Sequence, residues 1–229
     1  MDDAELARRS IAGFGEMVAA LGGADAVRRP HAVGARVDAA SENHWLDAAV
    51  VPAGVAPPAV DDDGLPHCLW ATAEAIAGRV EEPGIAMPCL GLPLDALAHD
   101  APDVAVEVPS LATVGELNDR AYDQHEALGP LIRALEDPRV RTHGLRVGDA
   151  WACVALTLRV GDDASVQYVA TEAAHRRRGL ASRLLLAVLH AARAEGVATA
   201  TLQASPDGLP VYERLGFRRV ATLRAFLRG

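Results

Sequence analysis

The segment from residue 164 to residue 204 constrains the fold most. Residues 164–171 read as a strand, and a short arginine-rich loop follows. From about Gly179 to Glu195 the apolar residues Leu180, Leu184, Leu185, Val188, Leu189 and Ala192 recur on one broad helical face, and Gly196 is the stop. A further strand is expected over 198–204. A long one-sided helix between two strands needs a sheet to cover, and the strands it joins run parallel. Upstream, strands near 140–147 and 150–160 complete a meander with 164–171. Their turns, Gly148-Asp149 and Gly161-Asp162-Asp163, suit tight hairpins. Earlier still, the spacing predicts a strand over 104–108. Thr113-Val-Gly-Glu116 reads as a capping box opening a helix to about Tyr122, and a second helix runs to about Leu135. A helix near 207–215 and a strand near 218–227 follow the parallel pair. The fold class is therefore an α/β (α+β) sandwich on a mixed, mostly antiparallel sheet.

Residues 1–103 are less regular. A helix is expected from Ala4 to Leu21, with Asp2 or Asp3 as cap and Gly22-Gly23 as stop. Strand-like runs fall at 32–37, 45–51, 67–71 and 85–92, with a short helix near 72–77 and a Pro/Gly/Asp-rich loop after Val51. Charge separates this part from the rest. Residues 1–105 carry 17 Asp+Glu against 6 Arg, and residues 106–229 carry 14 against 16, within a total of −9. Two modules are therefore expected, 1–103 and 104–229. The acidic total weighs against nucleic-acid binding. No run approaches a membrane span, and the acidic N-terminus does not read as a secretory leader. Cys68, Cys89 and Cys153 lack metal-ligand spacing, so no metal site is expected; they read as reduced thiols of a cytoplasmic protein. All 22 basic residues are arginine, which excludes lysine chemistry and fits the coding habit of a GC-rich bacterial genome.

The loop between residues 171 and 180 carries the chemistry. Backbone N–H groups at a helix start have no intrahelical partner and lie at the positive end of the helix dipole, which makes such a loop a phosphate site. Gly179 permits close backbone approach, Ala181 keeps the next position small, Ser182 adds a hydroxyl, and Arg176, Arg177 and Arg178 add charge suited to phosphate. Some 30 residues on stands Tyr212-Glu-Arg-Leu-Gly-Phe217. Together, Arg176-Arg-Arg-Gly179-Leu-Ala181 and Tyr212 to Phe217 resemble the pyrophosphate loop and the later Tyr-x-x-x-Gly-Phe of the GCN5-related N-acetyltransferases (GNAT). The order of elements is similar from about residue 104 onward.

The resemblance implies acetyl-CoA as cosubstrate and direct transfer to an amine acceptor, small molecule or peptide. It implies that strands 164–171 and 198–204 splay, with main-chain groups at Val169 and Thr171 bonding the pantetheine arm. The amides of Arg177 to Ser182 would hold the pyrophosphate, and Tyr212 would protonate the departing thiolate. A tyrosine at that spacing can also be a core aromatic. Family members often have Asn just after the second strand, where this chain has Ser205, so Ser205 as a ligand of CoA is a departure. The base is open among Tyr122, Asp123, His125, Glu126, Tyr168, Glu172 and His175. His31, His67 and His190 have no ligand spacing. The alternative function is a non-catalytic acyl-CoA-binding protein of the same fold. Residues 67–94 weakly echo the later half, which suggests a degenerate N-terminal copy without its own cofactor loop.

Overall fold

The computed structural model describes residues 1–37, 47–58, 64–123 and 128–228. Among them, ten strands form one continuous sheet. The N-terminal part supplies helix α1 (Asp3–Gly22) and strands β1 (Ala26–Arg29), β2 (Ala32–Ala35), β3 (Ala48–Val50), β4 (Cys68–Ala71) and β5 (Arg79–Pro93). Helices α2 (Leu111–Ala121) and α3 (Gly129–Arg133) follow, then β6 (Val140–Val147), β7 (Ala150–Val160) and β8 (Asp163–Thr171). The chain continues with α4 (Leu180–Ala194), β9 (Thr199–Gln203), α5 (Leu209–Arg214) and β10 (Arg218–Arg228). The sheet order is β1-β2-β3-β4-β10-β5-β9-β8-β7-β6. Only β3–β4 and β8–β9 pair in parallel, as a sheet of the mixed, mostly antiparallel class requires. Strand β5, from before residue 103, lies between β9 and β10.

Period-two alternation sorts the core into two layers. On β7, Val154 and Leu156 pack with Leu21 of α1, Val114 and Leu117 of α2 and Ile132 of α3. Cys153 and Ala155 face the other way, onto Leu180, Leu184 and Val188 of α4. The apolar stripe of α4 is thus buried as its spacing demands. Its neighbours Leu185 and Leu189 meet Ala164 and Val166 of β8, along with Tyr212 and Phe217.

Several local expectations are corrected. Residues 104–108 make no strand; only Glu107 pairs, through a bridge to Gly144, because Pro102 and Pro109 flank a run too short to form a ladder. Residues 72–77 form no helix but bends and irregular backbone, because six residues are too few to repay helix nucleation and Ile76 is instead buried with Phe226. The cap of α2 is Ser110, whose hydroxyl accepts the Thr113 N–H at 3.0 Å, so the helix starts before the capping box. The β1 strand went unforeseen, although Pro30-His31 provides the turn that pairs it with β2. Part of the expected strand at 45–51 lies outside the described residues.

The face of β8 and β9 toward α1 is polar although it is buried. Asp163, Ser165 and Gln167 alternate on β8, with Thr199, Thr201 and Gln203 alongside on β9. Asp163 is 1% exposed and accepts hydroxyl hydrogen bonds from Thr199 and Thr201, both at 2.6 Å. Arg9 of α1 donates to Thr199 Oγ1 at 3.0 Å and pairs with Asp162 at 2.8 Å. Burial raises the Asp163 pKa to about 6, despite the two hydroxyls and Arg9, which favour its charge. A raised carboxyl pKa contributes stability that is complete below the unfolded value near 4 and is lost as pH passes 6. Two units correspond to roughly 3 kcal/mol. Denaturant unfolding of the parent and Asp163→Asn should therefore show the parent losing about 2–3 kcal/mol relative to the variant between pH 4 and pH 7.5.

Candidate functional site

Strands β8 and β9 share backbone pairing at Asp163↔Thr199, Ala164↔Ala200 and Ser165↔Thr201, and at no residue beyond. Just past the last pair, side chains join the two strands. Gln167 Nε2 donates to Gln203 Oε1 at 3.1 Å and to Ser165 Oγ at 2.9 Å. Gln203 Nε2 in turn donates to the Ser10 carbonyl at 2.8 Å, and Ser10 Oγ donates to the Leu202 carbonyl at 3.0 Å. Helix α1 comes close enough to do this because Gly13 lies over Ser165; a Cβ at Gly13 would stand 2.5 Å from its hydroxyl. On the opposite edge, the β7–β8 register slips between Val154 and Leu156, where Tyr168 has φ 50°. This is a bulge that turns the following residues. Glu172 N–H returns to the Ala152 carbonyl at 2.9 Å, so by alternation Thr171 and Val169 present their main-chain groups to the gap.

The loop at the end of β8 has the local geometry of an anion cradle. Arg177 has φ 60°, and Gly179 has φ 74° and ψ 10° as the residue before α4. Alternating backbone hands turn successive N–H groups into one concavity. Among the described residues no side chain caps α4, so the first N–H groups of its first turn, which carries Ala181 and Ser182, are open to a ligand. Apart from its chain neighbours, no atom of the described residues lies within 4 Å of where a Gly179 Cβ would sit, so the loop is open on that side. The three arginines differ in use. Arg176 donates to the carbonyls of Thr171 at 3.2 Å and Ala121 at 2.5 Å, tying the loop to the end of α2. Arg178 contacts His175 Nδ1 at 2.9 Å. Among the described residues, Arg177 makes no ion pair and is exposed.

Tyr212 stands at the other side of the gap. It is 8% exposed, with its ring edge-on to Phe217 at 6.1 Å, and Gly208 leaves it space. Burial holds its phenol well above the usual tyrosine range, with Tyr122 and Cys153 nearby acting in the same direction. Ser205 Oγ accepts the Gly208 N–H at 3.2 Å, steadying the start of α5, and sits beside the Tyr122 hydroxyl. Tyr122 OH also donates to the Val169 carbonyl at 3.2 Å. Val169, Ser205 and Tyr212 therefore converge on one opening, and Thr171 leads from it to the Arg176–Ser182 loop. A cavity of about 500 Å³ lies elsewhere, along edge strand β6 by Pro109 and His143, and contains none of these residues.

The candidate bases differ in their engagement. Glu172 pairs with Arg120 at 3.2 Å, and His175 meets Arg178. Burial raises the Tyr168 phenol pKa. Asp123 has φ 53°, and His125 and Glu126 lie outside the described residues. Sequence reading missed the Tyr168 bulge and the Gln167–Gln203–Ser10 bridge. It also missed Asn118, 1% exposed, whose side-chain nitrogen has no hydrogen-bond partner among the described residues. The polar alternation at 163, 165, 167 and 199, 201, 203 was the available signal, but it reads equally as a solvent face.

Residues 115–226 match the family model described as acetyltransferase (GNAT) domain. No curated protein matches the sequence. Among solved structures, a GCN5-related N-acetyltransferase from Kribbella flavida superposes with TM-score 0.64 at 18% identity, covering 97% of this chain and 95% of that one. A putative GNAT-family acetyltransferase from Novosphingobium aromaticivorans gives TM-score 0.56 at 20% identity over 96% and 95%. A tandem GNAT protein of the clavulanic acid biosynthesis pathway gives 0.51 at 18%, over 69% and 63%. At these identities the structures establish the fold. No helix among the described residues is long and apolar enough to cross a membrane. Replacing Gly179 with Val would force a β-branched residue into a left-handed conformation and fill the cradle. Calorimetric titration should then show acetyl-CoA affinity reduced by roughly tenfold or more.

Proposed function

This chain belongs, through residues 115–226, to the GNAT acetyltransferase family, and on that premise we propose that it is an acetyl-CoA-dependent N-acetyltransferase acting on an amine. The observation that carries this reading is the opening of β8 from β9 beyond Ser165, with an uncapped helix start at one end and a buried tyrosine at the other. An extended arm bearing amides fits such a gap because it can hydrogen-bond to the strand edge that β9 leaves beyond Ser165. Val169 and Thr171 supply that edge, while the amides of Arg177 to Ser182 receive the pyrophosphate. Arg177 and Arg178 add charge, and Ser205 lies along the same path. Arg176 acts by holding the loop against α2.

Acetyl-CoA supplies the activated acetyl group. A main-chain N–H at the bulge polarises the thioester carbonyl as charge develops on its oxygen. The neutral amine forms the C–N bond, the C–S bond breaks, and Tyr212 delivers its proton to the departing sulfur. A phenol kept protonated by burial suits the acid role. The amine's surplus proton leaves through a base or a water chain on the acceptor side. With Glu172 and His175 both engaged, a non-catalytic acyl-CoA-binding protein is the second reading.

Residues 1–103 we read as a degenerate GNAT-like half that completes the sheet for the catalytic half, 104–229. The support is the mirrored sheet order. From each outer edge an antiparallel meander leads to a parallel pair, β3–β4 or β8–β9, followed by the last strand of the opposite half. In the first half the parallel pair does not open at its end, since Val51 N–H bonds the Trp70 carbonyl at 2.8 Å.

Acetyl-CoA titration followed by an amine panel monitored for free thiol tests the assignment. Binding with thiol release on one amine class supports the enzyme, binding without release across the panel supports the second reading, and absence of binding removes both. Tyr212→Phe should lower kcat roughly a hundredfold and leave acetyl-CoA affinity within about twofold. An equal loss in both would make Tyr212 a packing residue.

A further inference from the structure

Tyr122 closes α2, and its hydroxyl occupies a main-chain acceptor that the cofactor cleft needs. In the strand edge facing the gap, the Val169 carbonyl accepts this phenol at 3.2 Å and the Thr171 carbonyl accepts Arg176 at 3.2 Å. The phenol also lies against Ser205, which follows β9. One side chain at the end of α2 therefore bonds the β8 wall of the opening and stands near Ser205 and Tyr212. Its own position is not a core position, because the residue is 49% exposed. The end of α2 is in turn fastened to the phosphate loop through Arg176 and the Ala121 carbonyl.

We propose that Tyr122 is a latch on the cofactor cleft: its hydroxyl stands in for an amide N–H of the incoming arm on the Val169 carbonyl, and acyl-CoA enters by replacing it. This rests on the acetyl-CoA reading above. An arm laid along β8 donates an amide N–H to that carbonyl, and the carbonyl's direction toward the gap leaves both donors competing for one position. The cleft therefore exchanges between a latched form and an open form, and only the open form accepts the arm. Apparent affinity and association rate both fall with the open fraction. Release of the latch frees Tyr122 from β8 at the end of α2.

The test is stopped-flow and calorimetric binding of acetyl-CoA to the parent, Tyr122→Phe and Tyr122→Ala, each checked for unchanged thermal unfolding. Losing one hydrogen bond from the latched form should tighten binding by about three- to tenfold, chiefly through faster association. Tyr122→Ala should give at least the same gain. Unchanged or weaker binding in both variants overturns the latch and leaves the acetyl-CoA reading standing. A gain seen only in slower dissociation also overturns it, since that would be a contact of the bound state. If the parent and both variants fail to bind acetyl-CoA, the functional reading falls and the latch falls with it.

Discussion

Parallel strands that stop sharing hydrogen bonds partway along need another means of staying in place, and the β8–β9 pair finds it in side chains. At the paired end, Asp163 gathers two threonine hydroxyls from β9. Just past the last backbone pair, Gln167 and Gln203 join amide to amide and reach Ser10 of α1. The opening thus starts from a fixed point, and α1 is the clamp. A separation set this way is fairly insensitive to whether the gap is filled, because none of these bonds crosses its mouth. Buried polar groups satisfied in this manner specify one arrangement at the expense of raw stability, which the raised Asp163 pKa makes visible.

The charge imbalance between the two parts of the chain is partly reconciled in the fold. Glu16 of α1 meets Arg139, Asp3 meets Arg218, and Glu81 of β5 meets Arg224. These pairs cross from the acidic part to the arginine-rich part. Most are half exposed, so each contributes little to stability, and together they favour the observed docking over others. Burial does affect the thiols: Cys89 and Cys153 are pushed up to about 11, which makes them inert packing groups at neutral pH.

How much was legible in the sequence depended on whether a feature was local. The α4 stripe, its glycine boundaries and the meander were readable because helical and strand periods register directly in residue spacing. The loop and Tyr212 were readable through two motifs at fixed separation. What covers a face was not readable. The alternation Asp163, Ser165, Gln167 looks like a solvated strand face, and it is buried only because α1, some 150 residues earlier, offers Ser10 and Gly13 there. The Tyr168 bulge left no mark either, since a tyrosine at positive φ is held by its surroundings and not by its own preference. Strand β5 was foreseen as a strand, but its place between β9 and β10 could not follow from its own residues.

That placement bears on how the molecule assembles. The slot between β4 and β5 is filled by β10, about 130 to 160 residues later in the chain. As a ribosome extends the chain, both strands emerge long before the strand that separates them in the sheet. Their edges must stay apart and unpaired, or pair transiently with something else, until residue 228 has been made. The sheet therefore closes from within, by insertion, and such nonlocal pairing is slow and leaves sticky edges exposed meanwhile. The demand for chaperones should accordingly centre on the middle of this sheet.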